Sequence, residues 1–347
     1  MKIVYATDLH YGLDKEWDFK YLDALRNYVE KNKPDLVVVS GDLIDSLFSE
    51  EEAQKNKNLL GYMLEITKAE LERREARVSP YEFMNAIPII AKEILNNNMY
   101  PSELKEIAEK YLKTLDKAVE KAKDIYILYK SMLPQAYFLP GNHDIDFDKT
   151  PLEERNLHGS VLEVKGFKVV GYGGAALPNG MPIPVENVPI ELTTPFNEII
   201  TDDGVISEIY EAISKVKPDI IFSHVPPLRY LDEVEMDEKK IHVGSPGLAK
   251  LAEDFDVKLI CCGHVHERRG IKKIRKDKGL TVVVNGGSLN KNLDGYFVEI
   301  TLDEETKKFE SASFIRVIGP EVIFEEEKYL RTNDDGITSL LINKLLD

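Results

Sequence analysis

The chain has 347 residues, 43% of them hydrophobic, enough for one large or two ordinary α/β domains with a substantial buried core. Its formal net charge is −16, from 61 acids against 45 bases, which excludes a surface that attracts nucleic acid or anionic lipid at large and leaves room only for a local basic patch. No apolar run approaches the roughly 20 residues of a membrane span, and Asp8 falls too early for a signal peptide, so the expectation is a cytoplasmic protein with no membrane attachment.

In chain order, KIVYAT (2–7) reads as a strand. The run 17–32 places Phe19, Leu22, Leu25 and Tyr28 at helical spacing, and DLVVVSGD (35–42) reads as a second, buried strand. Together they predict a β-α-β unit with a parallel pair and a right-handed crossover. Residues 46–132 change texture: rich in Glu, Lys, Leu and Ala, they are divided by Pro80, Pro88 and Pro101 into helical segments and predict an inserted subdomain of three or four helices. Beyond AYFL and Pro140 come GNHD (141–144), the strands VLEV and FKVVGY, and a stretch, 175–204, whose Pro178, Pro182, Pro184, Pro189 and Pro195 predict a long loop beside a site. Helix IYEAISKVK (209–217) precedes strand DIIFSH (219–224), and helix PGLAKLAEDF (246–255) precedes strand VKLICCGH (257–264). Cys261 and Cys262 are neighbours on that last strand, where side chains alternate in direction, so they cannot form an ordinary bridge and point to a reducing compartment. Strands LTVVVNGG, YFVEITL and SASFIRV follow, and the tail from Gly319 ends in ITSLLINKLLD, whose apolar spacing predicts a helix docked on the body or on another subunit. The expected organisation is a core of residues 1–45 and 133–318, the insert 46–132 and the tail 319–347.

Histidine is scarce, and its placement carries the chemistry. Five of the seven histidines, His10, His143, His224, His264 and His266, directly follow strand-like runs, and Asp8, Asp42 and Asn142 take matching positions. In an open α/β sheet, ligands bind beyond the carboxyl ends of the strands. Taken singly, an Asp there caps a helix and a His is a hydrogen-bonded core or surface residue. Their conjunction points to a metal centre.

The set DLHYG (8–12), GDLID (41–45), GNHD (141–144), the isolated His224 and GHVH (263–266) resembles the ordered motifs of the calcineurin-like metallophosphoesterases. The resemblance implies two mixed β-sheets packed as a sandwich flanked by helices, a four-layer arrangement with the helical segment inserted, and a dinuclear metal centre. It implies Asp8, His10 and His266 on one metal, Asn142, His224 and His264 on the other, and Asp42 bridging both. Mixed oxygen and imidazole ligands favour borderline metals over Mg, with Mn or Fe first and Zn, Co or Ni next. The expected reaction is hydrolysis of a phosphate ester by a hydroxide bridging the two metals, with His143 protonating the leaving alcohol. Asp45 resembles the family position whose carboxylate orients that histidine, although Asp144 competes for the role and a helix cap would also explain Asp45.

Of the remaining histidines, His158 reads as structural, whereas His242, with Gly244 and Ser245, precedes a helix whose N-terminus could receive a substrate phosphate or simply be capped. NGGS (285–288) reads as a turn. Basic residues crowd 268–278, as a solvated hairpin or as a rim for a polyanion. The favoured substrate is a small phosphorylated molecule such as a nucleotide. The alternatives are a DNA or RNA nuclease and a non-catalytic, metal-containing scaffold. A homo-oligomer through the tail or the insert is a further expectation.

Overall fold

The structure, a computed structural model, describes residues 1–12, 15–45, 47–78, 80–177, 192–201, 204–236, 239–276, 279–288, 294–318, 323–331 and 337–342. Its elements run β1 (Lys2–Thr7), α1 (Lys15–Asn32), β2 (Leu36–Ser40), α2 (Glu50–Arg73), α3 (Pro80–Asn96), α4 (Ser102–Met132), β3 (Tyr137–Leu139), β4 (Val161–Val164), β5 (Phe167–Tyr172) and β6 (Ala175–Leu177). There follow β7 (Pro195–Thr201), β8 (Gly204–Ser207), α5 (Glu208–Ser214), β9 (Ile220–Ser223), β10 (Glu233–Met236), β11 (Lys239–His242), α6 (Pro246–Asp254) and β12 (Leu259–Cys262). The chain closes with β13 (Gly270–Lys276), β14 (Gly279–Asn285), β15 (Asp294–Leu302), β16 (Phe309–Ile318), β17 (Ile323–Arg331) and β18 (Ile337–Ile342).

Two mixed sheets dominate, in the orders β18-β17-β16-β15-β1-β2-β3 and β13-β14-β12-β9-β5-β4. Alternation along the strands sorts the core into layers. Ile3 and Tyr5 of β1 share one apolar cluster with Ile220 and Phe222 of β9, Leu259 and Cys261 of β12, and Val282 and Val284 of β14, so the inner faces of the sheets meet there. Val4, Ala6, Val37 and Val39 turn outward onto α1 and the second half of α4. On the other side Ile221, Ile260, Cys262 and Val283 meet α5 and α6. The layers are therefore helix, sheet, sheet, helix, and the two buried cysteines face opposite layers as the strand alternation requires. On α1 the buried face is Tyr21, Leu22, Leu25 and Val29, while Phe19, expected on it, is exposed.

The inserted segment forms three helices around a cluster of its own, with Met63, Ile87, Ile90, Ala91, Ile94, Ala108 and Tyr111 buried. Pro88 lies inside α3 instead of ending it. The apolar face Ile87, Ile90, Ala91 and Ile94, buried against α2 and α4, outweighs the hydrogen bond that a proline removes. No helix among the described residues is long and apolar enough to cross a membrane.

Two further expectations fail. The tail is not helical: β17 and β18 extend the seven-stranded sheet, with Ile337 opposite Arg331 and Ile342 opposite Glu326. An open sheet edge offers a row of unpaired N–H and C=O groups, and the β-branched Ile337, Thr338 and Ile342 suit pairing with it. The expected loop 175–204 contains β6, β7 and the start of β8 as a small three-stranded sheet, while Pro178, Pro182, Pro184 and Pro189 lie outside the described residues.

Candidate metal centre

Each expected ligand stands just beyond a strand. Asp8 and His10 follow β1, Asp42 follows β2, Asn142 and His143 follow β3, His224 follows β9, and His264 and His266 follow β12. Strands β1, β2 and β3 are parallel neighbours in one sheet, and β9 and β12 in the other. The two sets of strand ends are joined where Ser40 Oγ donates to the Ser223 carbonyl at 3.0 Å.

The side chains converge as two groups, Asp8 with His10 and His266, and Asp42 with His224 and His264, the donor atoms of each group lying within 4.8 Å of one another. In the first, His266 Nε2 is 3.2 Å from both Asp8 Oδ1 and His10 Nε2. In the second, His224 Nε2 is 3.2 Å from His264 Nδ1 and 2.8 Å from Asn142 Oδ1. Asp42 Oδ2 stands between the groups, 3.4 Å from His224 Nε2 and 4.0 Å from His10 Nε2. Such spacing fits cations: nitrogen and oxygen donors about 2.1 Å from one ion and at right angles to each other are about 3 Å apart. The donor set, imidazoles with carboxylates and an amide oxygen, suits the borderline first-row metals.

The backbone is forced into this shape. Asp8 (φ 53°), His10 (φ 46°), Asp42 (φ 48°) and His264 (φ 67°) all lie in the left-handed region, where a side chain costs on the order of 1–3 kcal/mol. A ladder of backbone bonds holds the first turns against each other: Asp8 N–H donates to Gly41 O (3.0 Å), His10 to Asp42 O (2.8 Å) and Tyr11 to Leu43 O (2.9 Å). Glycines make room for the ligands themselves. A Cβ on Gly41 would collide with the His224 ring, and one on Gly263 with the Asp8 carboxylate and Thr7 Oγ1.

Charge in the centre is divided unevenly. Burial opposes protonation of His224, yet the carboxylates of Asp42, Asp8 and Asp144 hold it up at about 9. Burial and the neighbouring His224 push His264 down to about 4. Burial raises the carboxylates of Asp8 and Asp42, but their histidine neighbours, chiefly His266 for Asp8 and His224 for Asp42, bring both below the usual range. The polar environment therefore keeps two carboxylates ionised beside a cationic imidazole, a pattern in which metal ions can take the proton's place.

His143 is half-buried beside the centre. Its backbone N–H donates to Asp42 Oδ1 at 2.8 Å, and its Nδ1 lies 3.2 Å from the backbone carbonyl of Asp45. That is a correction to the expected dyad: Asp45 meets His143 through its main chain, and its carboxylate instead lies 3.7 Å from His10 Nδ1. Asp45 is not a helix cap either, because Ser49 caps α2 in a capping box with Glu52. Asp144 does not compete for His143. It is buried, accepting N–H groups of Gly141 (2.8 Å) and Leu43 (3.1 Å), and so ties the Asp42 turn to the Asn142 turn. Burial and the Asp42 charge push its carboxyl up to about 7.

The phosphate expected at Gly244 and Ser245 has no place there. The N-terminus of α6 already holds Glu198, whose Oε1 accepts from Ser245 Oγ (2.8 Å) and Gly247 N (3.0 Å), and Asp232 accepts the Gly244 N–H (3.2 Å). His242 turns to Asp232 instead, Nδ1 to Oδ1 at 2.8 Å. His158 is structural, its Nδ1 accepting the Gly173 N–H at 3.0 Å. NGGS is more than a turn: Asn285 Nδ2 donates to the carbonyls of Gly263 (3.3 Å) and Val265 (3.0 Å), shaping the turn that carries His264. Two further supports were not foreseen. Tyr129 donates to the Leu43 carbonyl (2.9 Å) and Tyr126 accepts the Ile145 N–H (3.1 Å), so α4 holds both the Asp42 and the Asn142 turns. Their spacing of three on one helix face was the visible signal.

Comparison with known proteins agrees with this geometry. The family model described as Calcineurin-like phosphoesterase matches residues 1–86 and 102–268. The match thus runs into the helical insert, leaving out 87–101. An uncharacterized protein of Methanocaldococcus jannaschii, MJ1162, is 30% identical over 153 residues, covering 42% of this chain and 61% of that protein's length. The solved structure of TT1561 from Thermus thermophilus aligns over 89% of this chain and 96% of its own at 13% identity, with a TM-score of 0.37. With the family match covering well over half the sequence and its motif residues gathered at one set of strand ends, the chain belongs to the calcineurin-like phosphoesterases.

Proposed function

We propose that the protein hydrolyses phosphate esters of small molecules with two metal ions, Mn or Fe first, one held by Asp8, His10 and His266 and the other by Asn142, His224 and His264, with Asp42 shared. The observation that carries this reading is the pair of donor groups with Asp42 between them. Bound there, the ions would supply Lewis acidity toward phosphate oxygens and a more acidic water. The chain's own contribution is placement. Asp42 fixes the main chain of His143 through its Oδ1. His143 Nδ1 donates its N–H to the Asp45 carbonyl, so a second ring proton sits on Nε2, and from the imidazolium that atom delivers it to the leaving alcohol and the ring is left neutral. A small-molecule substrate is supported by the net charge of −16. The basic run has a structural account: β13 is a sheet edge, buried through Ile274 and exposed through Lys272 and Arg275, where charges discourage pairing with a second chain.

Hydrolysis of p-nitrophenyl phosphate and bis-p-nitrophenyl phosphate by metal-stripped protein, with Mn, Fe, Co, Ni, Zn or Mg restored, tests the reading. The expected result is metal-restored turnover that Asp42→Asn abolishes and His143→Ala lowers by about 10²–10⁴. Two bound ions per chain without turnover of either ester would overturn it.

A further inference from the structure

The Asp232–His242 pair is built like a functional dyad and has no part in the chemistry above. Asp232 is buried, its side chain 1% exposed, while the His242 side chain is 46% exposed. The carboxylate is anchored on one oxygen by the N–H groups of Arg229 (2.9 Å) and Gly244 (3.2 Å), and offers the other to His242 Nδ1 at 2.8 Å. With Nδ1 donating inward, the ring is fixed and Nε2 is its outward atom.

The dyad is tied to both histidine motifs of its sheet. Pro226 and Pro227 follow ligand His224 by two and three residues, and the Pro226 carbonyl accepts the Ser245 N–H (2.8 Å), three residues past His242. From the other side Arg268, two residues past ligand His266, donates Nε to the Glu233 carbonyl (2.8 Å) and pairs with its carboxylate. Glu233 is the strand partner of His242 across β10 and β11. Around Glu233 are gathered Arg268, Lys240, whose Nζ lies 3.0 Å from its carboxylate, and His242 as its strand partner. Two cationic side chains and an oriented imidazole thus meet at one half-buried carboxylate on a chain that is otherwise strongly acidic.

We propose that His242, oriented by Asp232, is a specificity-determining residue that binds a second phosphate group of the substrate at the rim of the metal centre. The preferred substrates are then phosphate esters bearing two separate phosphates. This rests on the phosphoester reading above. The ring takes up a second proton with the phosphate, Nδ1–H staying on Asp232 while Nε2–H donates to a phosphate oxygen, and Arg268 and Lys240 supply opposing charge.

The test compares phosphate release from adenosine 3′,5′-bisphosphate and adenosine 5′-monophosphate by the Mn-loaded full-length chain, with p-nitrophenyl phosphate as the reference for the centre itself. Wild type should favour the bisphosphate in kcat/KM, and His242→Ala should cut that preference about tenfold, mainly through KM, the loss expected for one charge-assisted hydrogen bond. His242→Gln, which keeps a donor, should retain part of it. Asp232→Asn should lower it while the 15N shifts of the His242 ring lose the fixed Nδ1–H form. No preference in wild type, or an equal preference in His242→Ala, while p-nitrophenyl phosphate is still hydrolysed, overturns the inference and leaves the phosphoester reading standing. If neither p-nitrophenyl phosphate nor bis-p-nitrophenyl phosphate is turned over, the phosphoester reading is what fails. Binding then decides the inference: in the Zn-loaded protein the His242 ring resonances should move with the bisphosphate and not with the monophosphate, and their failure to do so overturns it.

Discussion

The metal centre and the helical insert are built by opposite rules. In the centre, four non-glycine residues hold left-handed backbone, buried carboxylates face buried histidines, and side chains bond to main chain across 33 to 256 residues of sequence. In the insert, the surface carries many local pairs, such as Lys55 with Glu51, Lys110 with Glu106 and Lys113 with Glu109, and a few between helices, such as Lys121 with Glu52, over a plain apolar cluster. Four left-handed residues sit where ligands must converge, whereas the insert is locally consistent apart from Glu75 (φ 53°) and the mid-helix Pro88. A change of one methyl should therefore be ruinous in the first region and mild in the second.

Gly263→Ala should show the largest effect. Its new methyl collides with the Asp8 carboxylate and Thr7 Oγ1, and activity should fall on the order of 100-fold, with metal content reduced and circular dichroism unchanged. The pH dependence of loading comes next. His224 keeps its proton up to about 9, so a metal must displace it: affinity should rise from pH 6 towards pH 9 and level off beyond, with proton release counted calorimetrically in two buffers. The same raised value means that His224 stabilises the metal-free fold fully below its ordinary pKa, near 6.5, and that this contribution disappears as pH rises through about 9. Melting of the metal-free protein across that window measures it.

Asp144→Ala should destabilise by about 2–4 kcal/mol in urea titration, because the buried N–H groups of Gly141 and Leu43 lose their acceptor. Ile90→Ala, in the insert, should cost a similar ~2–4 kcal/mol yet leave metal content unchanged. Glu106→Gln, on an exposed pair, should not move the melting temperature measurably. If Ile90→Ala strips the metals as well, the two regions are not energetically separate and the contrast breaks.

The ligands were legible because each follows a strand that reads clearly from its own apolar run, so residues far apart in sequence could be placed at one sheet end. The tail was misread because Ile337, Leu340 and Leu341 repeat at helical spacing, and only the neighbouring β17 edge, invisible to local periodicity, makes them a strand. The partner of His143 was misjudged for a related reason: sequence names a side chain, and the contact is made by the Asp45 carbonyl. Gly244 and Ser245 looked open to phosphate because nothing local announced Glu198, 47 residues before Ser245.

Helix α4 belongs to both regions. Ala108, Tyr111 and Leu115 lie in the insert's cluster, while Ala118, Ala122, Tyr126, Tyr129 and Met132 lie in the main core, and its two lower tyrosines grip the turns of Asp42 and Asn142. Anyone trimming this protein to a minimal catalyst should not excise the helical segment as a cassette. A graft that replaces α2, α3 and the first half of α4 with a short linker, rejoining the chain ahead of Ala118, keeps the clasp. A cut at Met132 would spare all seven expected ligands and release the turns that aim them.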